Sequence, residues 1–456
     1  MLCLLDSISE KEFALQTFVR EIKTAVTFRD LILSAWRLAM AIAVQIVEDE
    51  LDKRAQKKTL WERCPKCGQR LRSKGFLKRE IKTLIGQIVW YRRAGRCPNA
   101  CKIGQVTPLD DELGLEPYQR TSFELKYLAL IAAVFLPFET ASLFVKKFTN
   151  VYISPTNIWW WVKDFGHRAE ERLAEQLKQL ENGQNPTVEP MDEQTSRLPL
   201  AIGGDGVMVP FRPTKGSPKG RTRWHEVKVA ILARLGRHTT REGKQVQRLK
   251  QRRLVAVCGS MDALSPRLWL EALRQDVLNA DQVVWLSDGG RGFWRLYRER
   301  FSAIAIGVLD FYHAAQNLWK GYALWLDGRT KEARARFKAD RHKLRHGQSN
   351  NVLADILSAS ELEGLPDSAR KALTKLYAYL DKHRKHIDYE NFEALGLPLG
   401  SGMVESACKW LIQQRFKGVG MRWSEEGFNH LLHLRLDWVN GRFDDLFLPK
   451  CPSPNL

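Results

Sequence analysis

The spacing of apolar residues predicts helices in the first 60 residues and again between 120 and 181. From Glu12 to Leu51 apolar residues recur about every 3.6 positions, the period of an amphipathic helix. The second region holds three apolar stretches with short breaks, and the third opens with Ser154 before Pro155, a pair typical of a helix N-terminus. Three such helices in succession indicate a helix-turn-helix unit.

Strand-forming patterns occur in two other places. Residues 76–96 alternate apolar and polar positions around Gly86, which predicts a β-hairpin. After a polar, proline-containing segment at 181–199, three apolar strands are followed by alternating helices and strands, and this order predicts a mixed sheet with helices on its faces. The predicted strands are 198–205, 224–235, 252–260, 281–288 and 303–310, with helices at 264–279 and 291–300 and a long charged helical stretch at 311–391.

One apolar segment, 31–47, is a candidate membrane span. It contains Arg37 and falls short of about 20 uninterrupted apolar residues, so we interpret it as a buried amphipathic helix and expect no membrane partner. The first residues, MLCLLDSISEKE, carry Asp6 and lack the basic start of a signal peptide. We therefore predict a cytoplasmic protein.

Four of the eight cysteines form two pairs, in CPKC (64–67) and CPNAC (97–101). Two pairs of thiolates are typical of a structural zinc site, and together with the hairpin between them they predict a zinc ribbon. Unliganded thiols are the alternative, and the second pair has three intervening residues instead of the commoner two. A closed four-thiolate site leaves no open position for a substrate, so we expect Zn²⁺ here to be structural. The predicted ligands are Cys64, Cys67, Cys97 and Cys101.

Two acidic residues end apolar strands and have glycine neighbours, Asp205 in LAIGGD and Asp288 in VVWLSDGG. In a mixed sheet such strand ends meet at one edge, where a carboxylate faces water and a substrate can approach bare backbone. A third acid, Glu405, lies in an apolar helix that Ser401 or Gly402 can cap. We expect this helix to pack across the same edge.

Three carboxylates at one edge would hold two Mg²⁺ (or Mn²⁺) ions for in-line attack on a phosphodiester. Glu405, Lys409 and Gln413 recur every four residues, so a carboxylate and a cation share one helix face. Taken singly, an Asp after a strand is usually a turn or cap residue, and Glu405 with Lys409 is an ordinary surface pair. His430 and His433, one turn apart and without a nearby acid partner, are interpreted as surface or core histidines.

The net charge favours the catalytic interpretation. At a formal net charge of +20 the chain attracts polyanions, nucleic acid first. Between Arg212 and Arg253 there are fourteen Lys or Arg but only Glu226 and Glu242, a net charge of +12. A charge run is usually a solvated face, yet one this dense beside a metal site is predicted to grip phosphates.

These residues carry a family resemblance. The chain resembles the DDE transposases of bacterial insertion sequences, specifically the ISKra-type branch of the Mutator-like superfamily. The resemblance covers most of residues 64–440. The matching stretches are the cysteine module, IGGDGVMV, WHEVKVAI, WLSDGGRGFW, VLDFYHAAQNLW and the segment from YLDKHRKH through GSGMVESACKW to GVGMRW.

The resemblance implies an RNase H-like core whose acid triad is Asp205, Asp288 and Glu405, with an all-helical insertion in the second gap. The family's D-x2-H signature falls on Asp310 and His313, expected to support the core and DNA without ligating the catalytic metals. Asp310 also follows an apolar strand and so competes with Asp288 as second ligand; we prefer Asp288 for its SDG context. The basic residues expected to contact DNA are Lys409, Arg415 and Lys417.

The predicted fold class is α+β and multidomain: an RNase H-like mixed-sheet core with an all-α insertion, preceded by a helical N-terminus, a zinc ribbon and a helix-turn-helix. The predicted segments are an N-terminal helical region at 1–60, the zinc ribbon at 61–110, the helix-turn-helix region at 111–182, a linker at 183–199, the first part of the core at 200–318, the insertion at 319–395, the catalytic helix and core completion at 396–445, and a tail at 446–456.

The predicted function is that of a DNA transposase that binds the terminal inverted repeats of its own element, cleaves DNA and transfers strands into a target. Assembly on paired ends predicts a homo-oligomer, at least a dimer, in a bacterial cytoplasm and associated with the nucleoid. Two alternatives stay open: an RNase H-like nuclease without strand transfer, and a non-catalytic zinc-ribbon and helix-turn-helix DNA-binding protein derived from a transposase.

Overall fold

A computed structural model describes residues 13–213 and 222–447 and divides the chain into two compact units, one up to Trp161 and one from Val162 onward. The elements of the first unit are α1 (Phe13–Lys23), α2 (Phe28–Gln56), β1 (Arg72–Thr83), β2 (Gly86–Arg96), α3 (Pro108–Glu112), α4 (Phe123–Phe135), α5 (Phe138–Thr149) and the start of α6 (Pro155–Glu181), which continues into the second unit.

The first unit contains the predicted hairpin and helix start. Strands β1 and β2 pair antiparallel and turn at Gly86, whose φ of 144° suits glycine. The backbone N–H of Asn157 donates to Ser154 Oγ at 3.2 Å, which confirms Ser154 as the cap of α6. The C-terminal part of α2 packs on the hairpin through Leu51 and Trp90.

The interpretation of 31–47 as a buried helix is wrong in one respect. The segment is helical, within α2, but only 11% of its most apolar 18 residues are buried, and Phe28, Ile32 and Ile46 are exposed. Among the described residues, α2 is the one helix whose length and composition would allow it to cross a membrane. Apolar periodicity could not predict this exposure, because it shows which residues share a face but not what covers that face.

The second unit is built around a five-stranded sheet. Its helices are α7 (Glu193–Ser196), α8 (Met261–Arg274), α9 (Arg291–Leu296), α10 (Phe311–Trp325), α11 (Lys331–Arg345), α12 (Ser349–Ser360), α13 (Asp367–Lys382), α14 (Tyr389–Ala394), α15 (Gly402–Ala407), α16 (Gln414–Phe416) and α17 (Glu425–Val439). Its strands are β3 (Leu200–Phe211), β4 (Arg223–Thr239), β5 (Gln245–Cys258), β6 (Val283–Ser287) and β7 (Ile306–Leu309). Turns of π-helix follow α9 (Tyr297–Phe301) and α15 (Cys408–Gln413), and turns of 3₁₀-helix span Val277–Asn279, Arg384–His386 and Asp444–Leu446.

The strand order is β5-β4-β3-β6-β7. The first three strands pair antiparallel as consecutive hairpins, whereas β6 and β7 run parallel to β3. The predicted mixed sheet with helices is thus present. The helix predicted at 264–279 is interrupted, because Asp276 adopts a left-handed φ of 53° between α8 and the 3₁₀ turn.

One apolar core joins this sheet to the helices that follow it. Trp285 of β6 and Val308 of β7 belong to the same buried cluster as Leu353 of α12 and Leu376 of α13. Helices within the predicted insertion therefore share a core with the strands that precede it. The predicted domain boundaries themselves stay predictions.

Two glycines in β3 allow helices to pack on both faces of the sheet. A Cβ on Gly203 would lie 2.6 Å from Val404 of α15, and a Cβ on Gly204 would overlap the ring of Phe293 in α9. These glycines were expected to leave backbone open to a substrate. That expectation is wrong, because packed side chains already occupy both positions.

The variant Gly204→Ala tests this packing. Because Phe293 is only 6% exposed, its ring has no open space to move into, and we expect a loss of about 1–3 kcal/mol in the free energy of unfolding. Denaturant unfolding followed by tryptophan fluorescence measures it. Gly402→Ala, at a position where a Cβ meets no atom within 4 Å, is the matched control. Equal midpoints for the two variants would contradict the packing argument.

Candidate carboxylate site and cysteine cluster

Strand register places three aspartates in one row. Gly203 of β3 pairs with Leu286 of β6, which pairs with Val308 of β7. Asp205, Asp288 and Asp310 each lie two residues beyond these partners, on neighbouring parallel strands or at their ends. Equivalent positions on adjacent strands are about 4.8 Å apart, so the row brings three acids to one edge of the sheet.

Asp205 lies on an exposed part of β3, and Gly206 N–H donates to its Oδ1 at 2.6 Å. The surrounding protein desolvates this carboxyl and raises its pKa, and the negative charge of Asp288 raises the pKa further. The Gly206 hydrogen bond and nearby His313 lower it, but the net direction is upward. Repulsion between the two acids is part of this shift.

Asp288 opens the turn after β6. Gly290 N–H donates to its Oδ1 at 2.9 Å, and the indole of Trp294 donates to its backbone oxygen at 2.6 Å. Gly289 packs directly against the ring of Tyr379. The SDGG sequence thus forms a tight turn that fixes the backbone of Asp288 and leaves its side chain at the sheet edge.

Asp310 has a different environment, because it is 2% exposed and both its oxygens are occupied. His313 N–H donates to Oδ1 at 2.8 Å, which caps α10, and the backbone N–H and hydroxyl of Ser401 both donate to Oδ2 at 2.5 Å. Ser401 stands at the N-cap of α15 but makes no side-chain cap bond there. Its expected role as a plain helix cap is replaced by a bond to Asp310, 91 residues earlier.

Glu405 lies on α15, one residue after the Val404 that packs on Gly203. Its side chain is 69% exposed and forms an ion pair with Lys409, Nζ to Oε1 at 2.8 Å. The hydrogen bond and charge of Lys409 lower the pKa of Glu405, and His313 contributes to the same effect. Lys409 and Glu405 thus share a helix face, as predicted from their spacing.

The buried thiol of Cys408 connects these groups electrostatically. Burial raises its pKa to about 12, and the charges of Asp205 and Glu405 both add to the shift. His313, exposed on the first turn of α10, acts on the pKa of both carboxyls as well. Asp205, Glu405 and His313 therefore lie within electrostatic range of one another, although they come from a strand and two helices.

The basic residues predicted to contact DNA fall in different environments. Lys409 and Lys417 are exposed, and the Lys417 ammonium lies 5.9 Å from the ring centre of Trp224. Arg415 is only 2% exposed and lies 5.3 Å over the ring of Trp423. The prediction that Arg415 contacts phosphates is wrong for this conformation, because its guanidinium is in the protein interior.

The basic run at 212–253 lies only partly beside the carboxylates: Lys228 pairs with Gly206, next to Asp205, whereas other cations of the run lie elsewhere. Residues 214–221, with three of its cations, lie outside the described residues, and Arg234 is fully buried, donating to the backbone oxygens of Leu198 and Gln275. Strands β4 and β5 pair as far as Thr239 and Gln245, beyond the other strands of the sheet. This two-stranded ribbon, residues 235–252, extends away from the carboxylate edge. Its exposed cations are Arg237, Arg241, Lys244, Arg248, Lys250 and Arg252.

The four predicted zinc ligands come together in the first unit. The sulfur atoms of Cys64, Cys67, Cys97 and Cys101 all lie within 4.8 Å of one another, an arrangement that could bind zinc. Cys67 Sγ and Cys97 Sγ are 3.4 Å apart, near the roughly 3.8 Å that tetrahedral Zn–S bonds would give. The additional residue of the second pair is accommodated by Ala100, whose φ of 52° is left-handed.

Comparisons with known proteins add little. No family model and no curated protein matches the sequence. Among solved structures, the chain is similar to the Drosophila P element transposase strand transfer complex at 10% identity, with a TM-score of 0.25, over 74% of this chain and 84% of that one. A TM-score this low does not establish a shared fold.

Ser401→Ala tests the bond between α15 and the sheet edge. Removing a hydroxyl that donates to a buried carboxylate is expected to cost about 1.5–3 kcal/mol in the free energy of unfolding. Ser196→Ala, which removes an exposed hydroxyl bonded to the backbone oxygen of Glu193, is the control and is expected to cost less than about 0.5 kcal/mol. Denaturant unfolding compares them, and a cost for Ser401→Ala no larger than the control's would disprove the role of this bond.

The raised pKa of Asp205 predicts a gain in stability for Asp205→Asn in metal-free buffer. The folded state binds this proton more tightly than the unfolded state, so ionisation of Asp205 destabilises the fold. The penalty is absent below the unfolded pKa of about 3.9 and is fully present above the folded pKa. Asp205→Asn should therefore be more stable than wild type at neutral pH and equal to it near pH 3.

Unfolding curves with a chelator, from pH 3 to 8, measure this difference. Asp164→Asn removes an exposed carboxylate paired with Arg168 and should show no such gain. A variant Asp205→Asn that is less stable than wild type at pH 7 would refute the repulsion.

Proposed function

We propose that the chain is a DNA transposase that cleaves DNA and transfers strands by DDE chemistry. The observation that carries this proposal is the meeting of Asp205 and Asp288 in one row of the sheet, with Glu405 held against the same edge by α15. Their exposure at an open edge suits a substrate as large as a duplex. The buried acids in the rest of the unit form ion pairs, as Glu271 does with Arg442.

The strand order supports an RNase H-like core. Three antiparallel strands, followed by two that run parallel to the first, place β3 at the centre and the acids at the ends of the parallel strands. On this reading residues 200–318 and 396–445 form the core, and the helices of 319–395 are inserted before the helix that carries Glu405. The sequence resemblance implies the same assignment.

The carboxylates fit divalent cations of the Mg²⁺ or Mn²⁺ class. Asp205, Asp288 and Glu405 offer oxygen ligands, which such hard cations prefer. The pKa of Asp205 is raised by desolvation and then by the charge of Asp288, and a cation would offset both effects. When bound, a pair of these ions would activate the attacking oxygen and stabilise the leaving oxygen of a phosphodiester. The three carboxylates would hold them, and Lys409 would have to leave Glu405 as it takes a phosphate.

The hydrogen bonds favour Asp288 over Asp310 as the second ligand. Both oxygens of Asp310 already accept bonds from His313 and Ser401, and the side chain is buried. Releasing it would break the hydrogen bonds that it accepts from His313 and from Ser401 at the start of α15. Asp310 is therefore assigned as a positioning residue for Glu405, whereas Oδ2 of Asp288 accepts no hydrogen bond from a described residue.

Charge and the first unit support DNA as the partner. The net charge of +20 favours a polyanion, and the ribbon of residues 235–252 presents six exposed cations against one acid, Glu242. The cysteine cluster and helices α4 to α6 are proposed to bind the terminal inverted repeats. We also propose that the chain acts as a homo-oligomer bound to the paired ends of its element, in a bacterial cytoplasm.

A cleavage and joining assay tests the proposed function. The substrate is a labelled duplex with the DNA that flanks this gene, incubated with Mg²⁺ and a target plasmid. Wild type is expected to cleave the element end and join it to the plasmid, whereas Asp205→Asn, Asp288→Asn and Glu405→Gln should each lose at least about 100-fold of both activities. The ion pair of Glu405 with Lys409 is exposed to solvent and contributes little to stability, so Glu405→Gln should remain folded.

Glu193→Gln is the matched control for Glu405→Gln, since Glu193 forms an equally exposed pair with a cation four residues on, Arg197. Cleavage without joining by wild type would indicate a nuclease. Binding without cleavage would indicate a DNA-binding regulator. Full activity of Glu405→Gln would disprove the assignment of Glu405 as a metal ligand.

A further inference from the structure

A second cluster of metal-ligand residues lies far along the chain from the cysteines, between α6 and α17. A Cβ on Gly166 would lie 2.5 Å from Cβ of His430, so the two helices are in close contact there. On α6, His167 and Glu170 are one turn apart; on α17, His430 and His433 are one turn apart. The interpretation of these α17 histidines as lacking an acid partner is wrong, because Glu170 lies beside both.

The geometry of three of these side chains suits a common ion. One ligand atom each of His167, Glu170 and His430 lie within 4.8 Å of one another. His430 Nε2 is 3.6 Å from Glu170 Oε2, longer than a normal hydrogen bond. Ligands about 2.0–2.1 Å from a tetrahedral zinc ion are about 3.3–3.4 Å apart, so this separation is close to that of two atoms on one ion.

The burial of the His430 side chain is a second, independent indication of a ligand. This side chain is 93% buried, since 7% is exposed, and Nδ1 has no hydrogen-bond partner among the described residues. Buried polar groups nearly always have a partner, and here the ring directs Nε2 towards Glu170 without bonding it. A cation between Nε2 and Glu170 Oε2 would give Nε2 a partner at bonding distance, while Nδ1, on the other side of the ring, would carry the proton of a neutral imidazole.

His433 holds the carboxylate in place. Its Nδ1 is 2.8 Å from the backbone oxygen of Asn429 and 3.3 Å from Glu170 Oε1. Both neighbours are acceptors, so Nδ1 carries a proton that the Asn429 oxygen and Glu170 Oε1 share. That leaves Oε2 of Glu170 directed to His430, the arrangement in which a neighbouring group orients a metal ligand.

We propose that His167, Glu170 and His430 form a binding site for a first-row transition-metal cation such as Zn²⁺, which fastens α6 to α17. Two imidazoles and one carboxylate are an established ligand set for such ions, with a fourth position open to water. His167, which is 63% exposed, places the fourth position at the solvent side. This site is separate from the carboxylate edge and does not depend on the proposed function.

Neighbouring charges would compete with a metal only weakly. His167 Nε2 is 3.3 Å from Glu171, an exposed pair on the same helix, and Glu426 is paired with Lys163 at 2.7 Å. Exposed pairs of this kind are worth about 0–1 kcal/mol. The alternative is a cluster held by ion pairs alone, which would bind no metal.

Equilibrium dialysis of the full chain against Zn²⁺, with excess Mg²⁺ to saturate the carboxylate site, tests the proposal. Wild type should bind about two zinc ions per chain, one on the cysteines and one here. His167→Ala and Glu170→Gln should each bind about one, and the Zn²⁺-dependent rise in melting temperature should be smaller than in wild type. His346→Ala removes an exposed histidine of α11 and should bind about two, as wild type does.

Co²⁺ substitution separates the two sites without reference to activity. In Cys67→Ser/Cys101→Ser the remaining ion should give d–d bands but no thiolate charge-transfer band, and adding His167→Ala should abolish them. Because His167 is exposed, loss of binding in that variant cannot be attributed to a disrupted core. Retention of about two zinc ions by both His167→Ala and Glu170→Gln would overturn the proposal, whether or not the chain cleaves DNA.

Discussion

The hydrogen bonds between Asp310 and Ser401 hold the candidate active site together. They join the end of β7, the first turn of α10 and the start of α15 through one buried carboxylate. The chain therefore leaves the sheet edge at α10, runs through helices α10 to α14, and is fixed at the same edge again where α15 begins. Hydrogen bonds to a buried charge are stronger than those between neutral groups, so this closure can oppose the entropy of a long connection. A backbone hydrogen bond from Phe311 N–H to the oxygen of Leu399, at 2.8 Å, supports the same junction.

The same edge combines close packing with charge repulsion. Gly203 lets Val404 reach the backbone of β3, and this contact sets the depth at which α15, with Glu405 on it, crosses the sheet. Asp205 and Asp288 then lie close enough for one to raise the pKa of the other. A fold selected for stability alone would not keep like charges together in partly desolvated surroundings. The packing that brings the acids together therefore also stabilises the fold and offsets their mutual repulsion.

Much of this arrangement could be predicted from the sequence, because it depends on local patterns. Alternating apolar positions predicted the hairpin, strand patterns predicted the mixed sheet, and paired cysteines predicted the cluster. The misses concern contacts between residues far apart in the chain. Arg415 looked available to DNA because its burial depends on Trp423 and on helix packing, and Ser401 looked like a helix cap because its partner is 91 residues away. Glu170 was missed as a partner of His430 for the same reason.

On the proposed function, the distribution of charge limits how DNA would reach the acids. The ribbon lies beyond the N-terminal end of β3, whereas Asp205 is five residues into that strand. Val229, the β4 partner of Asp205, and Arg237 of the ribbon are eight residues apart on β4, about 26 Å of strand. At about 3.4 Å per base pair, a duplex that touched both would span about eight base pairs. Near the acids, Arg291 is exposed three residues after Asp288, Lys228 is partly buried beside Gly206, and Lys409 is paired with Glu405. The negative charge of Asp205, Asp288 and Glu405 would oppose a phosphate, and divalent cations would neutralise it. On the proposed function, the exposed cations of the ribbon would attract DNA, and divalent cations at the carboxylate edge would neutralise the charge that opposes its approach there.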